Sequence, residues 1–192
     1  MVRFLNLNKT NILTRRGDCM RHTISNRWLT IGIACAGLAV SAAAPAAQLG
    51  KFKDWSAQTF KVSGKQVCSL WSAPQSAEGN YTRRGDIFVW VTHRPSDNAL
   101  NRVSFEMGYP IKANTKLTVR IDKETYQLLT DGSTAFNIEA RTDRRMVKAM
   151  RAAKEMEVSG VSRRGTKTRD VYSLFGFTAA HKAISKACKV RN

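Results

Sequence analysis

The sequence predicts a mainly β protein: an antiparallel β-sandwich or barrel-like sheet with two short helices in the C-terminal third. Three observations lead there. Short segments beyond residue 50 alternate apolar and polar side chains. Turns marked by Gly, Pro and Asp separate them at moderate spacing. Helical periodicity occurs only twice, near residues 143–153 and 178–189.

Residues 55–62 alternate loosely, and Ser63-Gly64 signals a hairpin turn into 66–73. In that second strand Val67, Ser69 and Trp71 share one face, Cys68 and Leu70 the other. Residues 74–85 are polar and contain Pro and Gly, which predicts a loop. The run DIFVWVTH over 86–93 is apolar on both parities, as for a strand covered on both faces. Pro95 to Ala99 reads as a turn, and 103–109 as a strand stopped by Pro110. In KLTVRI, Leu117, Val119 and Ile121 point inward; Lys116, Thr118 and Arg120 point outward. Asp122-Lys123 turns into a strand at 125–129, which Asp131-Gly132-Ser133 breaks.

The first helical stripe is Met146, Val147 and Met150, with Thr142 as the expected N-cap. Residues 155–161 and 169–175 read as strands around a basic turn at 163–166. Phe177, Ala180, Ile184, Ala187 and Cys188 then share one face of the last helix. The total is about eight strands and one domain, with no repeat and no linker long enough to divide it.

Before that domain lies a stretch built for export. Residues 28–47 carry no charge, follow Arg21, His22 and Arg27, and end in small residues. Ala44 and Ala46 fit the −3 and −1 positions of signal peptidase, so residues 1–46 are expected to leave and 47–192 to form the mature domain. A cut after Ala47 and a retained membrane anchor are the alternatives. Met20, which gives a short basic segment before Trp28, is the expected initiator, with residues 1–19 an upstream extension; Met1 is the alternative.

Removing the leader does not remove the charge. Six of the 32 Lys and Arg and one of the 14 Asp and Glu precede residue 47, so the remainder keeps +13 of the +18. Arg141, Arg144, Arg145, Lys148 and Arg151 crowd one helix; Arg163, Arg164, Lys167 and Arg169 crowd one turn and the following strand. Such a field attracts phosphates, lipid head groups and acidic glycans. In an exported protein the expected partners are anionic envelope lipids or glycans, or a host or envelope protein, rather than physiological nucleic acid. The plainer reading is that the charge only maintains solubility.

Cys19 and Cys35 leave with the leader, and Cys68 and Cys188 remain. Two cysteines in an oxidising compartment most simply pair; the alternative is two buried thiols. His93 is expected at a strand end and His181 on the exposed side of the last helix. Two histidines with no ligand spacing predict no metal site, and no cofactor is expected. No G-x-S-x-G elbow and no C-x-x-C are present, so no enzyme is predicted. Arg84-Gly85-Asp86 spells an adhesive tripeptide and forms a candidate contact loop, although Gly85 in a turn before a strand explains it equally.

Several segments carry a family resemblance: Phe52-Lys53-Asp54-Trp55, Arg84-Gly85-Asp86, Val91-Thr92-His93-Arg94-Pro95, Gly108-Tyr109-Pro110, Thr130-Asp131-Gly132, Arg164-Gly165-Thr166, and Tyr172 through Ala180. Together they resemble the invasion-associated locus B proteins of alphaproteobacteria, from about Phe52 to Cys188. The resemblance implies an exported envelope protein, periplasmic, outer-membrane-associated or secreted, with an immunoglobulin-like β-sandwich. It also implies a link to host-cell entry, and it supplies no catalytic residues. The expected role is therefore a non-enzymatic envelope protein presenting a basic surface. The alternatives are an adhesin contacting host proteins, and a periplasmic inhibitor or hydrolase.

Overall fold

The computed structural model describes residues 46–191. Of the leader, only Ala46 falls among them; the rest of residues 1–46 lies outside, with Cys19, Cys35 and both candidate start sites. The described strands are β1 (Ala47–Phe52), β2 (Trp55–Val62), β3 (Lys65–Ser72), β4 (Ser76–Gly79), β5 (Phe88–Arg94), β6 (Ala99–Glu106), β7 (Leu117–Ile121), β8 (Glu124–Asp131), β9 (Thr134–Phe136), β10 (Glu155–Val161) and β11 (Lys167–Ser173). Helix α1 (Ala140–Ala152) precedes β10, and α2 (Phe177–Ala187) follows β11.

Every strand pairing is antiparallel, in the order β1-β2-β3-β5-β6-β9-β8-β7-β10-β11-β4. Strand β8 is the fold line. Its residues 124–128 pair with β7, and its residues 129–131 pair with β9. One layer therefore runs from β1 to β9 and the other from β7 to β4, with a shared core between them. Phe105 on β6 meets Tyr172 on β11 across that core at 6.3 Å between ring centroids. Trp55 on β2 donates its indole N–H to Ser173 O at 3.0 Å and packs edge-on against Phe177. The helices close the inner side of the first layer, α1 against β6 and α2 against β1, β2 and β3.

The sandwich and the two C-terminal helices agree with the sequence reading. Three strands were not legible. Bulged β1 and fully exposed β4 are the two edges, held by backbone pairing and without a clean apolar alternation. Strand β9 has three residues, and Gly132 at φ +61° makes a hairpin where a break was expected. Strand β5 is not covered on both faces. Val89, Val91 and His93 are buried, while Phe88, Trp90 and Thr92 form a half-exposed outer face.

Helix α1 begins two residues before the expected cap. Glu139 occupies the N-cap without a side-chain bond, so Thr142 is not the cap. Asp143 is buried instead; it accepts from Val103 N and from Asn137 Nδ2, and Arg102 Nη1 stands 2.8 Å from its other oxygen. Burial raises the Asp143 carboxyl above its ordinary range, against the pull of Asn137 and Arg102.

Candidate functional site: a cationic groove and three inward-turned clusters

The outward positions of the second layer follow from its register. Thr118, Ser159, Arg169 and Glu78 lie across β7, β10, β11 and β4 in one row; Arg120, Glu157, Val171 and Ser76 make the next. Strands β7 and β10 pair at only three positions. Beyond Thr118 they part, leaving a shallow cavity of about 490 Å³ lined by Lys116, Thr118, Ser159, Lys167, Arg169 and Gly79 among others. Its floor offers hydroxyls, and its walls offer cations and the Glu78 carboxylate.

Arg169 is a cation in name more than in effect. Its guanidinium donates to Glu157 Oε2 at 2.8 Å and reaches Glu78 Oε1 at 3.5 Å. The groove's uncommitted charge rests on Lys116 and Lys167, neither of which has an ion pair among the described residues, and on exposed Arg163 and Arg164 at the adjoining β10–β11 turn. Lys116 was not among the candidates, although its outward place in the KLTVRI alternation was readable.

The expected single basic surface is two surfaces. Arg141, Arg144, Lys148 and Arg151 fall on one exposed stripe of α1, and Arg145 lies 3.5 Å from Glu124 at the β7–β8 turn. Helix α1 leads into the start of β10, whereas Arg163 and Arg164 follow its end. The seven residues of β10 separate the two sets by about 20 Å, with Glu155 and Glu157 between them.

Arg84 corrects the contact-loop expectation. Its side chain is only 4% exposed. Nη1 and Nη2 hold both oxygens of Asp170 at 2.6 and 2.7 Å, and Nε donates to Met107 O at 2.8 Å. The guanidinium lies 4.8 Å from the Tyr109 ring and 5.6 Å from Tyr81. Gly85 N donates to Gly108 O, and a Cβ on Gly108 would strike the Gly85 carbonyl. The tripeptide thus latches residues 80–87 to the sandwich, leaving Gly85 and Asp86 exposed and Arg84 turned inward.

The histidines form another inward cluster. His93 is 0% exposed and His181 3%, so His181 is not on the outer side of α2. The spacing of Phe177, His181 and Ile184 places it on the buried face. Asn101 N donates to His93 Nδ1 at 3.0 Å, which leaves the ring proton on Nε2 facing Ser185 Oγ at 3.1 Å. That orientation makes Ser185 an acceptor from His93, the reverse of what an activated serine needs. His181 Nε2 meets Asn101 Oδ1 at 2.7 Å, and its Nδ1 is buried without a partner.

Burial pulls both imidazoles from 6.5 to about 4, and His93 further lowers His181. A histidine depressed on folding stabilises the native state above the unfolded value and loses that contribution as pH falls through the folded one. Each imidazole is worth about 3 kcal/mol at pH 7, lost between about pH 6.5 and 4. Asp143, raised on folding, has the opposite sign. The test is therefore a difference: His181→Gln should show a flatter fall in Tm from pH 7 to 4.5 than the parent. Parallel curves would refute it.

Cys68 on β3 is bonded to Cys188 just past α2, with an S–S distance of 2.06 Å. Among the described residues, no group of three or more His, Cys, Asp or Glu is placed to hold a metal ion, and no helix is long and apolar enough to cross a membrane.

Comparison with known proteins gives a consistent result. A crystal structure of invasion associated protein B from Bartonella henselae superposes with a TM-score of 0.52 at 18% identity, covering 73% of this chain and 96% of that one. At that identity the likeness concerns the fold. No curated protein matches the chain. The family model for the invasion associated locus B (IalB) protein matches residues 55–185, a span that holds both layers of the sandwich, from β2 onward, and most of α2; the chain belongs to the IalB family.

Proposed function

We propose that the protein is an exported, non-enzymatic envelope protein, periplasmic or outer-membrane-associated, that holds anionic envelope components at the groove between Lys116 and Lys167 and at the adjoining Arg163–Arg164 turn. One observation carries this reading. The carboxylates beside the groove, Glu78 and Glu157, are engaged by Arg169, so Lys116, Lys167, Arg163 and Arg164 keep their charge for a ligand. The hydroxyls of Thr118 and Ser159 on the floor suit phosphate or sulfate oxygens. An adhesin working through Arg84 is disfavoured by the burial of that side chain, and a hydrolase by the closed, wrongly oriented Ser185–His93 pair.

Sedimentation with lipopolysaccharide or with vesicles containing anionic phospholipid tests the proposal. Binding is expected at low salt and should weaken at physiological ionic strength, because exposed charges are screened over about 10 Å. The triple variant Arg163→Ala/Arg164→Ala/Lys167→Ala should bind roughly 100-fold more weakly, at about 1 kcal/mol per basic residue. The triple variant Arg141→Ala/Arg144→Ala/Lys148→Ala on α1 should cost clearly less. No binding at low salt, or a larger loss from the α1 variant, would reject the groove as the site.

A further inference from the structure

The outer face of the first layer carries a feature that the cationic groove does not use. Cross-strand register sets Ser56, Trp71, Trp90, Ser104, Phe136 and Leu129 in one row across β2, β3, β5, β6, β9 and β8. Their chain neighbours Ala57, Leu70, Val91, Phe105, Ala135 and Leu128 are core residues, so the row points outward. From Trp71 to Leu129 it spans four strand spacings, about 19 Å. Phe88 packs against both indoles, at 5.3 Å from Trp71 and 6.0 Å from Trp90. The two indoles lie 5.9 Å apart with their planes tilted by 40°.

The chemistry of this face selects its occupant. On a chain of net charge +18, the row itself has no charged side chain. One neighbouring row is Gln58, Ser69 and Thr92, also neutral, and then Arg102, whose guanidinium is tied to Asp143 and to Asn137 O. The other is Phe88, Glu106, Thr134 and Asp131, whose two carboxylates would repel an anion and can accept from hydroxyls. The indole N–H groups of Trp71 and Trp90 have no hydrogen-bond acceptor among the described residues. An anionic surface would ask for cations here, and a peptide strand would ask for an open sheet edge; this is the flat middle of a sheet. What fits is a ligand with an apolar face, many neutral hydroxyl or amide groups, and no charge. A pyranose with equatorial substituents has that constitution: its C–H face stacks on an aromatic ring while its hydroxyls reach sideways to donors and acceptors. A 40° tilt between successive rings suits a chain that turns from one sugar to the next.

We propose that this face binds an uncharged β-linked glycan chain, stacked on Trp71 and Trp90 and extending along the row toward Phe136. The site is independent of the groove and does not rest on the function proposed above.

Cellohexaose and chitohexaose are the probes, titrated into the purified protein while tryptophan fluorescence is followed. Trp55 is fully buried, so Trp71 and Trp90 are the described indoles able to report contact. A saturable change is expected with at least one probe, unaltered between low and high salt because no ion pair is involved. Trp71→Ala and Trp90→Ala should each weaken binding about tenfold. Ser104→Arg places a long charged arm in the row without touching the core, and should weaken binding by at least as much while Tm is retained. The Arg163→Ala/Arg164→Ala/Lys167→Ala variant should bind the glycan normally, even where it has lost anionic vesicles, which keeps the two sites distinguishable. The proposal is overturned by silence toward both sugars at millimolar concentration, or by full binding in Ser104→Arg. It is also overturned if Trp71 and Trp90 instead govern self-association or attachment to vesicles.

Discussion

Arg84→Met is expected to destabilise the protein by about 3–5 kcal/mol, because it strands a carboxylate inside the sandwich. Asp170 is 0% exposed, and its two oxygens are held by the two terminal nitrogens of Arg84. Nothing in its position on β11 offers water as a substitute: in register beside it, Val158 and Val119 are fully buried. The arginine also carries the loop from 80 to 87, through Met107 O and the Tyr81 and Tyr109 rings. Its loss should therefore release that loop as well as destabilise the core. Urea unfolding measures the first effect, and proteolysis of the 80–87 segment the second. The double change Arg84→Met/Asp170→Leu removes both charges, and should recover most of the lost stability, since a buried pair is often replaceable by apolar groups of similar volume. A single variant within 1 kcal/mol of the parent, or a double variant no better than the single, would show that the pair is not the latch.

That pair also marks where sequence reasoning stops. Arg84 and Asp170 are 86 residues apart, and no local pattern joins them; Arg84-Gly85-Asp86 invites a surface reading because each residue type is usually exposed. The same limit separates Trp71 from Trp90. Each was visible as an aromatic in a strand, but only the register of β3 with β5 sets them side by side. Alternation and helical stripes were legible because burial imposes a period on contiguous residues, as in Leu117, Val119 and Ile121, or Met146, Val147 and Met150. Edge strands were not, since β4 is stabilised by main-chain bonds to β11 that leave no mark on side-chain choice. The division of the basic residues between a helix and a turn was readable from the sequence, and the ion pairs that tie Arg169 to Glu157 and Glu78 were not. His181 is a different case: counting four residues from Phe177 would have put it on the buried face.

Loss of the Cys68–Cys188 bond is the other large effect to expect. The bridge joins positions 120 residues apart, and a loop of that size loses enough unfolded-state entropy to stabilise the fold by about 4–5 kcal/mol. For a domain of this length each kcal/mol moves Tm by about 2–4 °C, so reduction, or the Cys68→Ala/Cys188→Ala pair, should lower Tm by roughly 10–15 °C. The location makes the effect local as well as global. Cys188 follows α2 directly, and its sulfur lies 3.9 Å from His93 O, beside the Ser185 and Asn101 contacts that hold both imidazoles. Once the bond is gone, the end of α2 is fastened mainly by packing, through Phe177, Ala180 and Ile184, and by the ring N–H bonds from His93 to Ser185 and from His181 to Asn101. Both imidazoles titrate near 4 in the folded protein and stay neutral at pH 5, so bridge loss and acidification should add: the Tm deficit of the reduced protein should be about the same at pH 5 as at pH 7. Thiol titration of the denatured, unreduced mature protein should find Cys68 and Cys188 both blocked. Two free thiols there, or a Tm indifferent to reductant, would remove the covalent tie from this account and leave α2 held by its apolar face alone.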